Sequence, residues 1–222
     1  MSSKPLPAPL PPETRTVGQV VAEAVRLYGR SVWRVLPLGL PVAVADVISG
    51  GLSIPTRILV LMAAAPAFTL AFAWASAIAG GARPGRATWV RALALGTAVF
   101  LPAAVFFPWF AILSVAWLAL VGLVVPVVVL EDLPARAALR RAVELCRADY
   151  VHALGSLATL VIVFFLTRFA LAFLLRGQAD NTIRVAVFLA DVVISPLLFL
   201  GAALLYFDQA ARIHSGPRKR RR

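Results

Sequence analysis

Residues 92 to 130 contain no Asp, Glu, Lys or Arg, and this run constrains the fold more than any other feature of the sequence. As one helix rising 1.5 Å per residue it would be about 58 Å long, roughly twice the thickness of a bilayer's hydrocarbon core. The run therefore predicts two membrane spans that fold back on each other. Because Pro108 breaks the helix and Trp109 suits the headgroup level, we expect spans at Trp89–Phe107 and Trp109–Leu130.

Four further apolar stretches are long enough to cross a membrane. Of the 222 residues, 61% are hydrophobic and only 14% are charged, and the mean hydropathy of +0.88 is typical of a chain solvated by lipid. The stretches are residues 35–53, 58–79, Val151–Leu175 and Val185–Phe207. With the hairpin they predict an all-α fold, an integral membrane bundle of six transmembrane helices that occupies residues 16–208.

Two segments outside the spans have the periodicity of amphipathic helices, and Thr16 with Gln19 resembles a capping box at the start of the first. Because a span follows at once, we interpret both as interfacial helices at the inner membrane surface. For the first segment an alternative is a helix packed on a soluble partner, because such a helix has the same spacing of apolar residues. The apolar face of the first comprises Val17, Val20, Val21, Ala24, Val25 and Tyr28, and that of the second, after Pro134, comprises Ala138, Ala142, Val143, Cys146 and Tyr150.

The distribution of Lys and Arg predicts the orientation, because basic loops stay in the cytoplasm. With six spans, 18 of the 22 basic residues lie on the side of the two termini. Only Arg57, Arg176 and Arg184 lie on the other side, and Arg168 lies inside a span. The expected protein is a multi-pass protein of a bacterial inner (plasma) membrane with both termini in the cytoplasm.

The basic residues of the cytoplasmic side are candidates for contact with anionic lipid headgroups. Residues 1–15, with five prolines, are expected to form a disordered cytoplasmic tail, and residues 209–222 a basic one. The alternative is that the charges only enforce topology and solubility. Because membrane topology explains the net charge of +12, we expect no nucleic-acid partner. The candidate lipid contacts are Arg136, Arg140, Arg141, Arg147, Arg218, Lys219 and Arg220.

Three ionisable residues, Asp46, Arg168 and Asp191, lie inside predicted spans. A charge at mid-bilayer costs roughly 2.5–3.5 kcal/mol on insertion scales, so each should face protein or water and have a partner. Counted along their spans, all three lie about 9–11 Å below the outer boundary. We therefore predict an Arg168–Asp191 ion pair, with Asp46 completing a triad. Such a cluster either fixes helix packing or serves as a proton or substrate relay.

The second span carries a ridge of small residues at a spacing of four, along which another helix can approach closely. The ridge comprises Ala63, Ala67, Ala71, Ala75 and Ala79. The sequence leaves open whether the approaching helix belongs to the same chain or to a second copy. A homodimer is therefore one hypothesis, and another membrane protein as partner is a second.

Three segments together resemble a bacterial membrane-protein family. They are "TVGQVVAEAVRLYGR" at residues 16–30, "VVPVVVLEDLPARAALRRAVELCRADYVHALGSL" at 124–157 and "LLYFDQAAR" at 204–212. They are similar to the membrane domain attached to some glycerophosphoryl diester phosphodiesterases, although Ala142 stands where that family often has Ser. The residues that carry most of the resemblance are Pro126, Glu131, Arg140, Arg141, Leu205, Tyr206, Asp208 and Arg212. The resemblance implies a multi-span membrane domain. Since little of the chain lies outside the spans, we expect no catalytic barrel.

The sequence contains no motif for catalysis, metal binding or nucleotide binding. His152, His214 and Cys146 lack the spacing of metal ligands, and neither a Gly-rich phosphate loop nor an activated-serine motif occurs. We therefore expect no cofactor and no enzymatic activity. The predicted role is an accessory or scaffold component of the plasma membrane. The alternative is a small transporter or channel that uses the intramembrane Asp/Arg cluster.

Overall fold

The computed structural model describes residues 16–215, with side chains as far as residue 213. The predicted Pro-rich tail and the basic residues Arg218, Lys219 and Arg220 lie outside the described residues. The described part is a succession of helices: α1 (Val17–Arg30), α2 (Val32–Val35), a 3₁₀ turn (Leu36–Gly39), α3 (Leu40–Ser49), α4 (Ile54–Gly80), α5 (Arg86–Phe106), α6 (Ala111–Val121), α7 (Val124–Glu131), α8 (Ala135–Ala148), α9 (Tyr150–Leu174) and α10 (Asp180–Ser215).

Six helical segments of this part are long and apolar enough to cross a membrane. The first, Val32–Ser49, combines α2, the 3₁₀ turn and α3, and the fourth, Ala111–Glu131, combines α6 and α7. The others are α4, α5, α9 and the stretch Asp180–Ile213 of α10. The prediction of an all-α fold is confirmed for the described residues, and the number of helical segments that could cross a membrane equals the predicted number of spans.

The long run without charges folds back on itself, as predicted, between α5 and α6. The Ser114 hydroxyl donates to the carbonyl of Ala103 at 2.8 Å, and the Trp117 indole N–H donates to the carbonyl of Val99 at 2.8 Å. In both contacting pairs the midpoint in sequence lies close to Pro108, so α5 and α6 run antiparallel to each other. These bonds also satisfy polar groups that would otherwise meet hydrocarbon.

The fourth span is interrupted, which the sequence analysis did not predict. α6 ends at Val121 and α7 begins at Val124, after Gly122 and Leu123. α7 packs against α4, α5 and α8, and its valines are buried on every side. A helix that is apolar all round is expected at the centre of a bundle, and α7 occupies that position.

The two amphipathic helices pack their apolar faces against the chain's own spans. α1 buries Val20 and Ala24 against α9 and α10, and α8 buries Ala138 and Leu145 against α6, α7 and α10. The Gln19 side chain accepts from the backbone N–H of Thr16 at 2.7 Å, which is one half of the predicted capping box. The helical periodicity therefore has an intrachain cause, and an interfacial position for α1 and α8 stays a prediction.

The last helix extends further than its predicted span. α10 continues to Ser215, whereas the predicted boundary of the membrane domain is residue 208. Its middle packs against the 3₁₀ turn at Gly39, where an added Cβ would lie 2.2 Å from the carbonyl oxygen of Val192 and 2.7 Å from its Cα. Only a residue without a side chain lets the first span approach the α10 backbone so closely.

Substituting Gly39 by Ala is expected to destabilise the protein by about 1–3 kcal/mol, because the obstructing atoms belong to backbone and cannot rotate away. The matched control is Gly18→Ala in α1, where nothing lies within 4 Å of the added Cβ and a small gain in helix stability is expected. Thermal unfolding in detergent checks both. Equal stability of the two variants would contradict the close packing of the first span on α10.

Candidate functional site

The three ionisable residues of the spans meet in one cluster. Arg168 of α9 lies between two carboxylates, donating to Asp46 Oδ2 of α3 at 2.7 Å through one terminal nitrogen. Its Nε lies 3.3 Å from Asp191 Oδ1 of α10. The predicted Arg168–Asp191 ion pair is thus present, but the shorter contact is the one to Asp46. We call Asp46, Arg168 and Asp191 the intramembrane triad.

The surroundings of the two carboxylates differ sharply. The side chain of Asp191 is fully buried, whereas that of Asp46 is 36% exposed and that of Arg168 is 22% exposed. One guanidinium carries a single positive charge and faces two acidic groups. The triad can therefore neutralise one ionised carboxylate in full, and the second must either keep a proton or hold a negative charge in an apolar setting.

Local packing positions each member of the triad. The Ser195 hydroxyl, one turn beyond Asp191, lies within hydrogen-bonding distance of the carbonyls of Asp191 and Gly39 and so links α10 to the first span. The guanidinium of Arg168 also lies 5.6 Å from the centre of the Phe164 ring on the preceding turn. A cation over an aromatic face gains further stabilisation where water is scarce.

A second group of polar contacts lies at the opposite end of the spans. The Tyr206 hydroxyl of α10 donates to Glu131 Oε1 at 2.7 Å, and Arg141 Nε of α8 lies 3.4 Å from the same oxygen. These three residues belong to the motifs that carry the family resemblance, and the structure brings Tyr206 to Glu131 and Arg141 although it lies far from both in sequence. They join α7, α8 and α10.

The start of α9 is held in the same region by Asp149, which caps the helix by accepting from the backbone N–H of His152 at 3.0 Å. Arg212 contacts the Asp149 carboxylate at 2.8 Å, and the Gln209 amide donates to the Asp149 carbonyl at 3.0 Å. His152 Nε2 lies 3.7 Å from the buried carboxylate of Asp208. This network was not predicted from the sequence, although the spacing of Asp208, Gln209 and Arg212 on one helical face was an available signal.

Asp132 ends α7 in a left-handed conformation, with φ of 52°, and connects it to α5. Its carboxylate accepts from the Thr88 hydroxyl at 2.5 Å and from Arg91 at 2.6 Å. The hydrogen bond from Thr88, with the charge of Arg91, lowers the pKa of Asp132 below its ordinary value. Arg91 thus belongs to α5 and holds the turn after α7.

The ridge of small residues on α4 is packed against the rest of the chain along most of its length and is exposed at the end near Ala63. Ala71 and Ala75 are buried within the chain, Ala67 and Ala79 are half-buried, and Ala63 is exposed. α4 packs against α3, α5, α7 and α10. The close helix contact predicted for Ala71 and Ala75 is therefore made inside one chain, and only the end near Ala63 is open to a second copy or another partner.

The candidate lipid contacts of α8 fall into two groups. Arg141 is half-buried beside Glu131, and Arg140 pairs with Glu144 at 3.0 Å on the surface. Arg136 and Arg147 are exposed. Arg141 thus has an internal partner, and the other three arginines present their charges outward.

Cys146, in contrast, is buried, and burial raises the pKa of its thiol. Within residues 16–213, no group of three His, Cys, Asp or Glu residues is arranged to hold a metal ion.

Removing the arginine of the triad is expected to be the most damaging single change. Arg168→Gln leaves two uncompensated carboxylates and should cost about 3–5 kcal/mol, as in other buried ion pairs that lose one partner. Asp191→Asn should cost less, since Arg168 keeps Asp46. The double variant Arg168→Gln/Asp191→Asn should recover much of the loss, because the fully buried carboxylate of the triad is then neutral.

The check is a double-mutant cycle on unfolding in detergent, with Arg168→Gln/Asp46→Asn as the matched control. The control should recover less, because it leaves the Asp191 carboxylate enclosed by protein and without its cation, whereas Asp46 is not enclosed and can rearrange toward the surface of the bundle. Additive losses in both double variants would show that the three side chains are not coupled.

Comparison of the chain with models of protein families, with curated proteins and with solved structures gave no match. The site is therefore interpreted from its own geometry.

Proposed function

We propose that this chain is a non-enzymatic accessory or scaffold protein of a bacterial plasma membrane, with six transmembrane helices and both termini in the cytoplasm. The observation that carries the proposal is the contact of Arg168 with two carboxylates from two other helices. The three ionisable side chains lie in apolar spans and pair with one another. Their contacts fix the junction of α3, α9 and α10.

The proposed orientation rests on which connections between the spans carry the basic residues. The connections at 50–53, 107–110 and 175–179 alternate with those at 81–85 and 132–149, so six crossings place the second set on the side of the termini. That side carries the large majority of the arginines, which disfavour translocation. In this arrangement α1 and α8 lie at the cytoplasmic surface, where Arg136, Arg140 and Arg147 meet anionic lipid.

The polar network at the proposed cytoplasmic end supports a structural role. Asp149 links α9 to α10, and Glu131 links α7 to α8 and α10. The residues of this network attach the ends of helices, and the connections between them, to neighbouring helices. The family resemblance proposed from the sequence implies a multi-span membrane domain, and the meeting of Glu131, Arg141 and Tyr206 gives those motif residues a common position.

A small transporter is the second candidate, and one observation favours it. Two carboxylates share one guanidinium, and the side chain of Asp46 is partly exposed. A carboxylate in excess of its positive partner can take up and release a proton, which is the step that a proton-coupled transporter requires. Substrate passage would require α3, α9 and α10 to separate at the triad.

Proton flux in proteoliposomes under an imposed pH gradient separates the two candidates. The scaffold proposal predicts that the wild type adds no flux above protein-free vesicles and that Asp191→Asn changes only the unfolding temperature. Asp180→Asn is the matched control, because Asp180 is an exposed carboxylate on the same helix outside the triad.

Flux in the wild type that is lost in folded Asp191→Asn but retained in Asp180→Asn would contradict the scaffold proposal. That result would establish the triad as a proton relay.

A further inference from the structure

An apolar groove with one cationic residue in its wall lies at the end of the bundle where α3 finishes and α10 begins. Its volume is about 320 Å³, within the range of small-molecule sites. The α3 side contributes Val44, Val47 and Ile48, and the α10 side contributes Arg184, Val185 and Phe188. Five of the six lining residues are apolar and the sixth is an arginine.

Arg184 has no carboxylate within ion-pair distance among the described residues, in contrast to the paired arginines of the triad and of the opposite end. It is exposed and lies one turn inside the start of α10 at Asp180. One turn of helix is about 5.4 Å, so the guanidinium reaches the level of lipid headgroups while Phe188 lies one turn deeper. In the orientation proposed above, the polar and apolar parts of the groove are thus stacked along the membrane normal.

We propose that this groove is a binding site for one anionic phospholipid, whose phosphate pairs with Arg184 and whose acyl chain lies along Val44, Val47 and Phe188. Arginine is well suited to phosphate, because its planar guanidinium forms two parallel hydrogen bonds with two phosphate oxygens. The proposal requires that the chain lies in a membrane but does not depend on a scaffold role. In the orientation proposed above, the lipid belongs to the outer leaflet.

The size of the groove argues against a protein occupant. Stable protein interfaces use roughly 20 to 30 residues a side, whereas six residues line this groove. A single acyl chain matches an open apolar groove, and a phosphodiester matches Arg184, the cation in its wall that has no carboxylate partner among the described residues. Lipid chemistry therefore accounts for both parts of the site.

Native mass spectrometry of the full chain, released from detergent and titrated with phosphatidylglycerol or phosphatidylcholine, tests the proposal. The wild type should retain one phosphatidylglycerol more tightly than phosphatidylcholine. Arg184→Gln should weaken phosphatidylglycerol retention by about tenfold, which corresponds to about 1.4 kcal/mol. The matched control is Arg176→Gln, because Arg176 lies at the same end but its guanidinium is 4.0 Å from the Phe173 ring, outside the groove.

A second variant tests the apolar half while keeping the charge. Val44→Trp fills the groove from a position that is already exposed, so it should displace the lipid without unfolding the bundle. Loss of retention in Arg184→Gln and Val44→Trp, but not in Arg176→Gln, supports the site. Equal retention in the wild type and Arg184→Gln, no preference over phosphatidylcholine, or a dimer that excludes lipid would each overturn it.

Discussion

A charged side chain surrounded by hydrocarbon has no water to solvate it, and the packing of α3, α9 and α10 depends on this constraint. Arg168 meets Asp46 and Asp191 only if α3, which is distant in sequence, reaches the same level as the consecutive helices α9 and α10. Gly39 allows the first span to lie directly on the backbone of α10, beside Asp191. The contacts of Arg168 with the two carboxylates and the close packing at Gly39 therefore both hold the first span against α10.

The two ends of the bundle use polar residues differently. At the end with the termini, Glu131, Asp132 and Asp149 each bind groups from other helices and hold the turns between spans. At the other end, the connections are short and Arg184 has no acidic partner in the described residues. The acidic residues that hold connections between helices are thus concentrated at the end with the termini, whereas Arg184 at the opposite end is left to pair with its surroundings.

Much of this architecture follows from the sequence, because hydrocarbon thickness sets a minimum length that each span meets independently. The meeting of Asp46, Arg168 and Asp191 was predictable from the cost of an unpaired charge, although their relative distances were not. The ridge at Ala71 indicated a close contact between helices but did not identify which helix packs against it. The contact of Asp149 with α10 was missed, since pairing across some sixty positions depends on tertiary packing that no local period encodes.

The central claim is a six-span membrane protein with both ends in the cytoplasm, and labelling of single cysteines tests it most directly. In a Cys146→Ala background, Gln178→Cys lies in the loop before α10 and Ala135→Cys at the start of α8, both at exposed positions. The account predicts that a membrane-impermeant maleimide labels Gln178→Cys in intact cells and Ala135→Cys only after permeabilisation. The reverse pattern, or labelling of both from one side, would contradict it.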